Sequence, residues 1–224
     1  MPSLRGSATT GSNTSSSVNV TKPSGVVAGD TLLALHCNEF GFSGGLPSGW
    51  SQIYAASTTF GARLAVRIAG ASEPSSYSFG GNFGGVRQNV IVIAVSDADP
   101  DLQTIEAGSS GSGSTITAPS ATAARGDAFV VRYAVAADGN AITFSPPSGH
   151  TERADISQEW VSCTCATQNS LASAGTVNSA NFSMSASLSG SNVRLGITVL
   201  LYPPAGADRH IVVSPTSVHR SWSW

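Results

Sequence analysis

The chain of 224 residues has a formal net charge of −2, and charged residues make up only 11% of it, against about a quarter in average globular proteins. Hydrophobic residues reach 41%, which is enough for a buried core. Lys22 is the single lysine, and the arginines form no cluster. Because binding to a phosphate backbone needs clustered positive charge, nucleic acid is excluded as the main partner. No secretion signal or membrane-length apolar run is visible, so no membrane partner is expected.

The first β half is predicted over residues 16–106, after an N-terminal arm at residues 1–15 whose Ser, Thr and Gly content leaves disorder open. Strands are indicated by apolar runs and by alternation of apolar and polar side chains, as in a half-buried strand. These patterns cover residues 17–21, 31–37, 52–56, 64–68 and 89–95. The last stretch is apolar on both faces, which is typical of a strand at the centre of a sheet.

The second β half is predicted over residues 115–204. Its strand patterns cover residues 115–118, 128–135, 151–155, 161–165, 182–188 and 193–202. Residues 107–114 consist largely of Gly and Ser, and they fit either a flexible linker or a loop that crosses one fused sandwich. No stretch has helical periodicity with caps, so almost no helix is expected.

An internal repeat relates the two halves. The sequence PSGW at residues 47–50 recurs as PSGH at residues 147–150, and the Gly-Asp pair at residues 29–30 recurs at residues 126–127. In both halves this pair introduces an apolar strand. Fixed spacing of such landmarks indicates one duplicated unit. We therefore predict an all-β, two-sheet sandwich of jelly-roll or Greek-key type, with about ten to twelve strands. Whether the halves share one core is left open by the sequence.

No cofactor or metal site is expected from the sequence. Asp97, Asp99 and Asp101 could begin a calcium loop, but the glycine and the distal glutamate of an EF-hand are missing, so a solvated turn is preferred. The cysteines, at positions 37, 163 and 165, form no even disulfide framework and are predicted to be small core residues.

No catalytic residue is assigned either. His150, Glu152 and Asp155 could be drawn as an acid–base group. In a regular strand, however, His150 and Glu152 share one face and Asp155 points away, so a surface strand is the preferred interpretation. No nucleophile elbow, phosphate loop or dinucleotide fingerprint is present. An enzyme such as a glycan hydrolase is therefore the least favoured class.

Trp50 has two interpretations. An exposed tryptophan in a sandwich loop can stack on a sugar ring, which would make Trp50 a glycan contact. Alternatively, the PSGW loop turns the chain and the indole closes one end of the core. The histidine at the repeated position, His150, favours the packing role.

Several segments resemble a β-sandwich family that is common among minor tail proteins and virion surface proteins of tailed bacteriophages. They are GVVAGDTLLA at residues 25–34, PSGW at residues 47–50, AVRIA at residues 65–69, SDADP at residues 96–100, TAPS at residues 117–120 and GDAFVV at residues 126–131. The resemblance extends over residues 17–204. It implies a structural or adhesive role in a virion and implies no catalytic residues.

The C-terminal residues 205–224 are predicted to be a docking tail, because tryptophan and apolar side chains outside a sandwich are typical of interface hot spots. The candidate docking residues are Ile211, Val212, Val213, Trp222 and Trp224. The expected function is that of a non-enzymatic structural protein of a virion, either a minor tail component or a capsid decoration. Its expected partners are other virion proteins and copies of itself, and it would be synthesised in the host cytoplasm. The alternative is a carbohydrate-binding module for host surface glycans.

Overall fold

The alternating patterns form strands along almost the whole described chain. The structure is a computed structural model that describes residues 1–57, 60–80, 85–108, 113–188 and 194–204. These residues form eighteen strands and no helix, which confirms the predicted all-β fold. Within these ranges there is consequently no helix with the length and apolar character needed to cross a membrane.

The first half of the chain contains β1 (Ser3–Leu4), β2 (Thr9–Asn13), β3 (Ser17–Thr21), β4 (Thr31–Asn38), β5 (Ser51–Ser57), β6 (Gly61–Ile68), β7 (Ser76–Gly80) and β8 (Gln88–Ser96). The remainder contains β9 (Asp99–Gly108), β10 (Thr115–Ala118), β11 (Ala121–Ala123), β12 (Phe129–Ala136), β13 (Phe144–Ser145), β14 (His150–Ile156), β15 (Ser162–Gln168), β16 (Gly175–Val177), β17 (Ala180–Met184) and β18 (Arg194–Tyr202). Several short strands, among them β1, β11, β13 and β16, carry too few residues for an alternating pattern to reveal them.

Two large antiparallel sheets repeat one strand order. In the first sheet the order is β5-β6-β4-β8, and both β1 and β2 pair with the free side of β8. In the second sheet the order is β14-β15-β12-β18-β9. The duplicated sequence therefore corresponds to a duplicated sheet topology.

This topology changes the role of the segments at the ends of the halves. Residues 1–15, predicted as an arm, contribute β1 and β2 to the edge of the first sheet. The corresponding edge of the second sheet is formed by β9. By its hydrogen bonds β9 belongs with the second half, and it includes Ala107 and Gly108 of the predicted linker. Residues 109–112 of that linker lie outside the described ranges. The pairing thus divides the two repeats near residue 98.

The large sheets face each other across one central core. Side chains of β4, β6 and β8 pack there against side chains of β12, β15 and β18. Asn89 on β8 adds a buried hydrogen bond by donating its side-chain N–H to the carbonyl of Val161, 2.7 Å away. The two halves therefore share one core, and the central pair of sheets is the predicted sandwich.

Small sheets cover the outer faces of this sandwich. The pair β3-β7 packs on the first large sheet through a second apolar cluster. The sheets β10-β17-β13 and β11-β16 cover the second large sheet through two further clusters. The molecule consequently has four layers of strands, two of which contain the small sheets.

The three cysteines confirm their predicted role as core residues. Cys37, Cys163 and Cys165 are free thiols and are buried in the central core. Burial raises the pKa of Cys163 well above its ordinary value, and the neighbouring Cys37 thiol of the first half adds to the rise. These thiols are packing groups at the junction of the halves.

Both halves carry a β-bulge at the same place in the repeat. The register shifts between Gln52 and Tyr54 in β5 and between Glu152 and Ala154 in β14. A bulge inserts one residue into a strand and so reverses the face to which the following side chains point. The matching bulges are a structural feature of the duplication that the sequence pattern did not reveal.

The bulge makes the predicted orientation of Asp155 wrong. Glu152 pairs with Ala166, whereas Asp155 pairs with Thr164, so both face outward from the central core. His150 lies on the same face, opposite Gln168. The three titratable side chains share a face because of the extra residue, which a strand of regular period does not contain.

Candidate functional site

The two copies of the PSG loop end in opposite environments. Trp50 is only 7% exposed, and its ring meets Tyr77 and Phe79 edge to face, with centroids 5.2 Å and 5.3 Å apart. The interpretation of Trp50 as a glycan contact required an exposed ring, so the structure contradicts it. The indole closes the apolar cluster between the first large sheet and the pair β3-β7.

The first half also neutralises its charges beside Trp50. Arg67 and the buried carboxylate of Glu73 form an ion pair at 2.7 Å, and the Tyr77 hydroxyl donates to the same carboxylate at 2.9 Å. Burial alone would raise the pKa of Glu73, but hydrogen bonds from Arg67, the Gly70 N–H and Tyr77 outweigh it and lower that pKa. This end of the first half is therefore filled and electrically paired.

The corresponding end of the second half is open. A cavity of about 590 Å³ lies beside His150, which occupies the position of Trp50. Its walls come from the loop at residues 148–150, from Arg132 and Gln168, and from the segment between β15 and β17. That segment spans residues 169–179, whereas the equivalent segment between β6 and β7 spans residues 69–75. The cavity size is in the range of ordinary small-ligand sites.

Arg132 occupies a place in β12 that is held by a small apolar residue in the first half. Ala34 of β4 pairs with Ala65, and Arg132 pairs with Ala166. On its other side Ala65 pairs with Gln52 and Ala166 pairs with Glu152, and each of these two residues directly precedes the bulge of its half. Ala34 and Arg132 therefore hold equivalent positions. One guanidinium has therefore replaced a methyl group in the floor of the repeated site.

The Arg132 side chain is 1% exposed and makes several hydrogen bonds. Its Nε donates to His150 Nε2 at 3.0 Å, and its Nη1 donates to Thr198 Oγ1 at 2.8 Å. Nη1 also approaches the carbonyls of Ala118 and Pro119, each at 3.4 Å, and Nη2 donates to the carbonyl of Asn178. Burial lowers the pKa of Arg132 to about 10, so the group is still cationic at neutral pH.

These contacts define the protonation of His150. Nε2 accepts from Arg132, so the ring proton is on Nδ1, which donates to the carbonyl of Ser148 at 3.0 Å. Burial lowers the pKa of His150; the hydrogen bond to Ser148 opposes this change and the charge of Arg132 adds to it. A neutral His150 orients the guanidinium and is not placed as a general base, because its lone pair is already used.

The other predicted acid–base and metal candidates have local roles. Asp155 accepts from the N–H of Phe144 at 3.0 Å. Asp99 accepts from the N–H of Asp101 at 3.0 Å, as in a turn, and Asp97 is exposed with a φ of 52°. Within the described ranges no three His, Cys, Asp or Glu residues are arranged to hold a metal ion.

A second surface was missed by the sequence interpretation. Phe40 is 69% exposed and Trp160 is 47% exposed. The glutamates that precede them, Glu39 and Glu159, contact the same arginine, Arg87, at 3.9 Å and 3.2 Å. The two aromatic residues therefore lie at one end of the molecule, one from each half. The repeated Glu-aromatic pair after a strand was the only available signal, and we define Phe40 and Trp160 as the aromatic end.

Trp160 is held in an uncommon backbone conformation. Its φ is 69°, in the left-handed region, and its N–H donates to the carbonyl of Asp138 at 2.6 Å. This conformation costs a bulky residue on the order of 1–3 kcal/mol, and residues that adopt it are enriched at functional sites. The structure thus keeps an exposed aromatic ring in place at an energetic cost.

The predicted docking residues of the tail lie outside the described ranges. They are Ile211, Val212, Val213, Trp222 and Trp224, and their docking role stays a prediction.

Comparisons with known proteins leave the candidate sites to be judged on geometry. A scan against protein-family models, a search of curated proteins and a search of solved structures each found no match.

Proposed function

We propose that this chain is a non-enzymatic structural protein of a bacteriophage virion, either a minor tail component or a capsid decoration, that acts by docking to other virion proteins. The observation that carries the docking role is the aromatic end, where Phe40 and Trp160 are exposed in spite of the strained backbone at Trp160. The assignment to a virion is supported by the resemblance of residues 17–204 to phage surface proteins.

The energetics of the aromatic end suit a docking surface. Burying a large apolar side chain contributes roughly 1.5–3 kcal/mol, and tryptophan is enriched among residues that dominate interfaces. Arg87 links Glu39 and Glu159, so it fixes the two loops relative to each other before a partner arrives. A surface that is already ordered loses less conformational entropy on binding.

The proposed absence of catalysis is supported by how the titratable groups are used. The lone pair of His150 accepts from Arg132, and Asp155 accepts from a backbone N–H. Among the described residues, the carboxylate that acts on Asp155 is Glu152 of the same strand, whereas glycoside hydrolysis requires two carboxyl groups on opposite sides of the bond to be cleaved. A rigid scaffold needs neither group for chemistry.

Incorporation into particles tests the docking role. We expect Phe40→Ser and Trp160→Ser each to lower the amount of this chain in purified particles about tenfold or more, given the usual cost of removing an interface anchor. Ile68→Ser is the matched control, because Ile68 is exposed and apolar but lies at the other end of β6. Unchanged incorporation of both aromatic variants, with melting temperatures like the parent chain, would refute docking through this end.

A carbohydrate-binding role is the second candidate, and the polar cavity beside His150 is the observation that favours it. Neighbouring hydroxyl and amide groups can exchange hydrogen bonds with sugar hydroxyls. Those groups belong to Ser148, Ser170, Ser173, Thr176, Asn178 and Ser179. A glycan array probed with the purified chain tests this role, and binding that His150→Trp abolishes is the expected result. Binding that is lost only on substitution at the aromatic end would place the sugar elsewhere.

A further inference from the structure

The cavity of the second half contains a buried cation without a buried anion. Arg132 is 1% exposed, and no carboxylate of the described residues forms an ion pair with it. Its acceptors are neutral: one imidazole, one hydroxyl and backbone carbonyls. An unpaired buried charge is costly, because its attraction to water is lost and no opposite charge replaces it.

One N–H of the guanidinium has no acceptor among the described residues. The group has five N–H donors. The one hydrogen of Nε is donated to His150, and the two hydrogens of Nη1 are directed at Thr198 and at the carbonyls of residues 118 and 119. Nη2 also has two hydrogens, but the carbonyl of Asn178 is its one acceptor among the described residues. Asn178 and Arg132 both line the cavity, so Nη2 is the guanidinium nitrogen that still has a hydrogen to donate to a ligand there.

The closed end of the first half contains one arginine–carboxylate pair. There Arg67 pairs with the buried carboxylate of Glu73, which comes from the segment between β6 and β7. The equivalent segment between β15 and β17 contains neither Asp nor Glu. In the second half Gln168, the partner of His150, stands in the place of Arg67. Arg132 is thus a cation that the first half lacks at this position, and no carboxylate of the described residues is paired with it.

We infer that the cavity beside His150 binds an acidic sugar, of the uronic or sialic acid class, whose carboxylate pairs with Arg132. The inference rests on the proposed carbohydrate-binding role and deepens it. The carboxylate accepts from the remaining Nη2 hydrogen, and the serine, threonine and asparagine side chains of the wall bind the ring hydroxyls. His150 is a positioning residue that holds the guanidinium through Nε.

The test is a titration of the full-length, ¹⁵N-labelled chain, followed by amide and arginine Nε–H shifts. The probes are D-glucuronic acid, N-acetylneuraminic acid, D-glucose and an N-acetylated Gly-Ser peptide with a free C-terminal carboxylate. We expect at least one acidic sugar to bind about tenfold or more tightly than glucose, because charge-assisted hydrogen bonds are roughly twice as strong as neutral ones. The largest shifts are expected in residues 168–180, and added salt should weaken binding.

Two variants keep the inference falsifiable if one of them fails to fold. Arg132→Ala gives this position the residue type found at Ala34, and His150→Trp brings in the ring that fills the first half. Both are expected to reduce affinity for the acidic sugar about tenfold or more. Arg125→Ala is the matched control, because Arg125 belongs to the same half and contacts Pro203 and Tyr202 outside the cavity. Its affinity should equal that of the parent chain.

The outcomes separate this inference from the function on which it rests. Equal binding of acidic sugars and glucose at this cavity would overturn carboxylate recognition and leave the carbohydrate-binding role standing. Binding of the peptide without preference for an acidic sugar would overturn the sugar class. No binding of any sugar would overturn both, and full affinity in a folded His150→Trp variant would exclude this cavity.

Discussion

The loops before β5 and β14 share their first three residues and end differently, and the ends of the two halves differ accordingly. In the first half Trp50 fills the space between the layers, and Glu73 neutralises Arg67. In the second half His150 orients Arg132 at the wall of a cavity. One repeated frame thus supports a closed apolar end and an open polar end. The two ends can differ because both repeats contribute to one central core, which does not contain the last residue of either loop.

The largest expected effect on stability comes from replacing Trp50 by histidine, the residue at the equivalent position 150 of the second half. Trp50→His should lower the free energy of unfolding by about 3 kcal/mol, because it empties buried volume and places a polar ring among apolar side chains. Trp50→Phe is the control and should cost distinctly less, since the indole N–H has no hydrogen-bond partner in the described residues. Urea unfolding measures both. A loss below about 1 kcal/mol for Trp50→His would contradict the closed end.

The dependence of stability on pH tests the buried histidine of the first half, His36. Burial, reinforced by the charge of Arg63, lowers the pKa of His36 to about 3, against the hydrogen bond that its Nε2–H donates to the Gln88 side-chain oxygen. The unfolded chain binds this proton near pH 6.5, so stability is full above that pH and is lost as the pH falls toward 3.

Unfolding free energies at a series of pH values between 8 and 4 test this linkage. The loss should amount to a few kcal/mol, and His36→Ala, less stable at pH 8, should show a smaller dependence on pH. Alanine is the residue in the matching place of the second half, Ala134. Equal slopes for the parent chain and His36→Ala would show that His36 is not the group that titrates.

The smallest expected effect on stability concerns Asp155, whose side chain the bulge turns away from the central core. Burial raises the pKa of Asp155 to about 6, against the favourable hydrogen bond from the Phe144 N–H, and the charge of Glu152 adds to the rise. A raised pKa means that stability is full below about pH 4 and is lost as the pH rises through 6.

Asp155→Asn removes the charge and keeps an acceptor for the Phe144 N–H. At pH 8 it should raise the free energy of unfolding by about 1 kcal/mol, a value reduced for the solvent that reaches this half-buried group. The gain should vanish below about pH 4. If the variant is less stable than the parent chain at pH 8, the ionised form of Asp155 does not cost the folded chain stability.

The strands that were predictable are those whose apolar pattern has period two. Residues 17–21 and 115–118 were predicted with the bounds that β3 and β10 have. The apolar stretch at residues 89–95 was expected at a sheet centre, and β8 indeed has strands on both sides. These successes have one physical cause, since burial on one or both faces selects the side chains along the strand itself.

The features that were missed depend on contacts between distant segments. Pairing of residues 3–13 with β8 leaves no apolar alternation in the sequence, and β9 crosses the apparent boundary between the halves. A bulge changes the face of Asp155 without changing its neighbours in sequence. The site at Arg132 could not be seen because that residue sits in an otherwise apolar run, and its partners His150 and Asn178 come from other strands and loops.

We propose that this chain is a docking component of a virion and that it uses its aromatic end for contact. The most direct measurement is a cryo-EM map of the intact particle made with this protein. We predict density for the four-layered fold at regular sites on the capsid or along the tail, with Phe40 and Trp160 buried against a neighbouring chain. Particles that lack such density, or density in which the aromatic end faces solvent, would contradict the account.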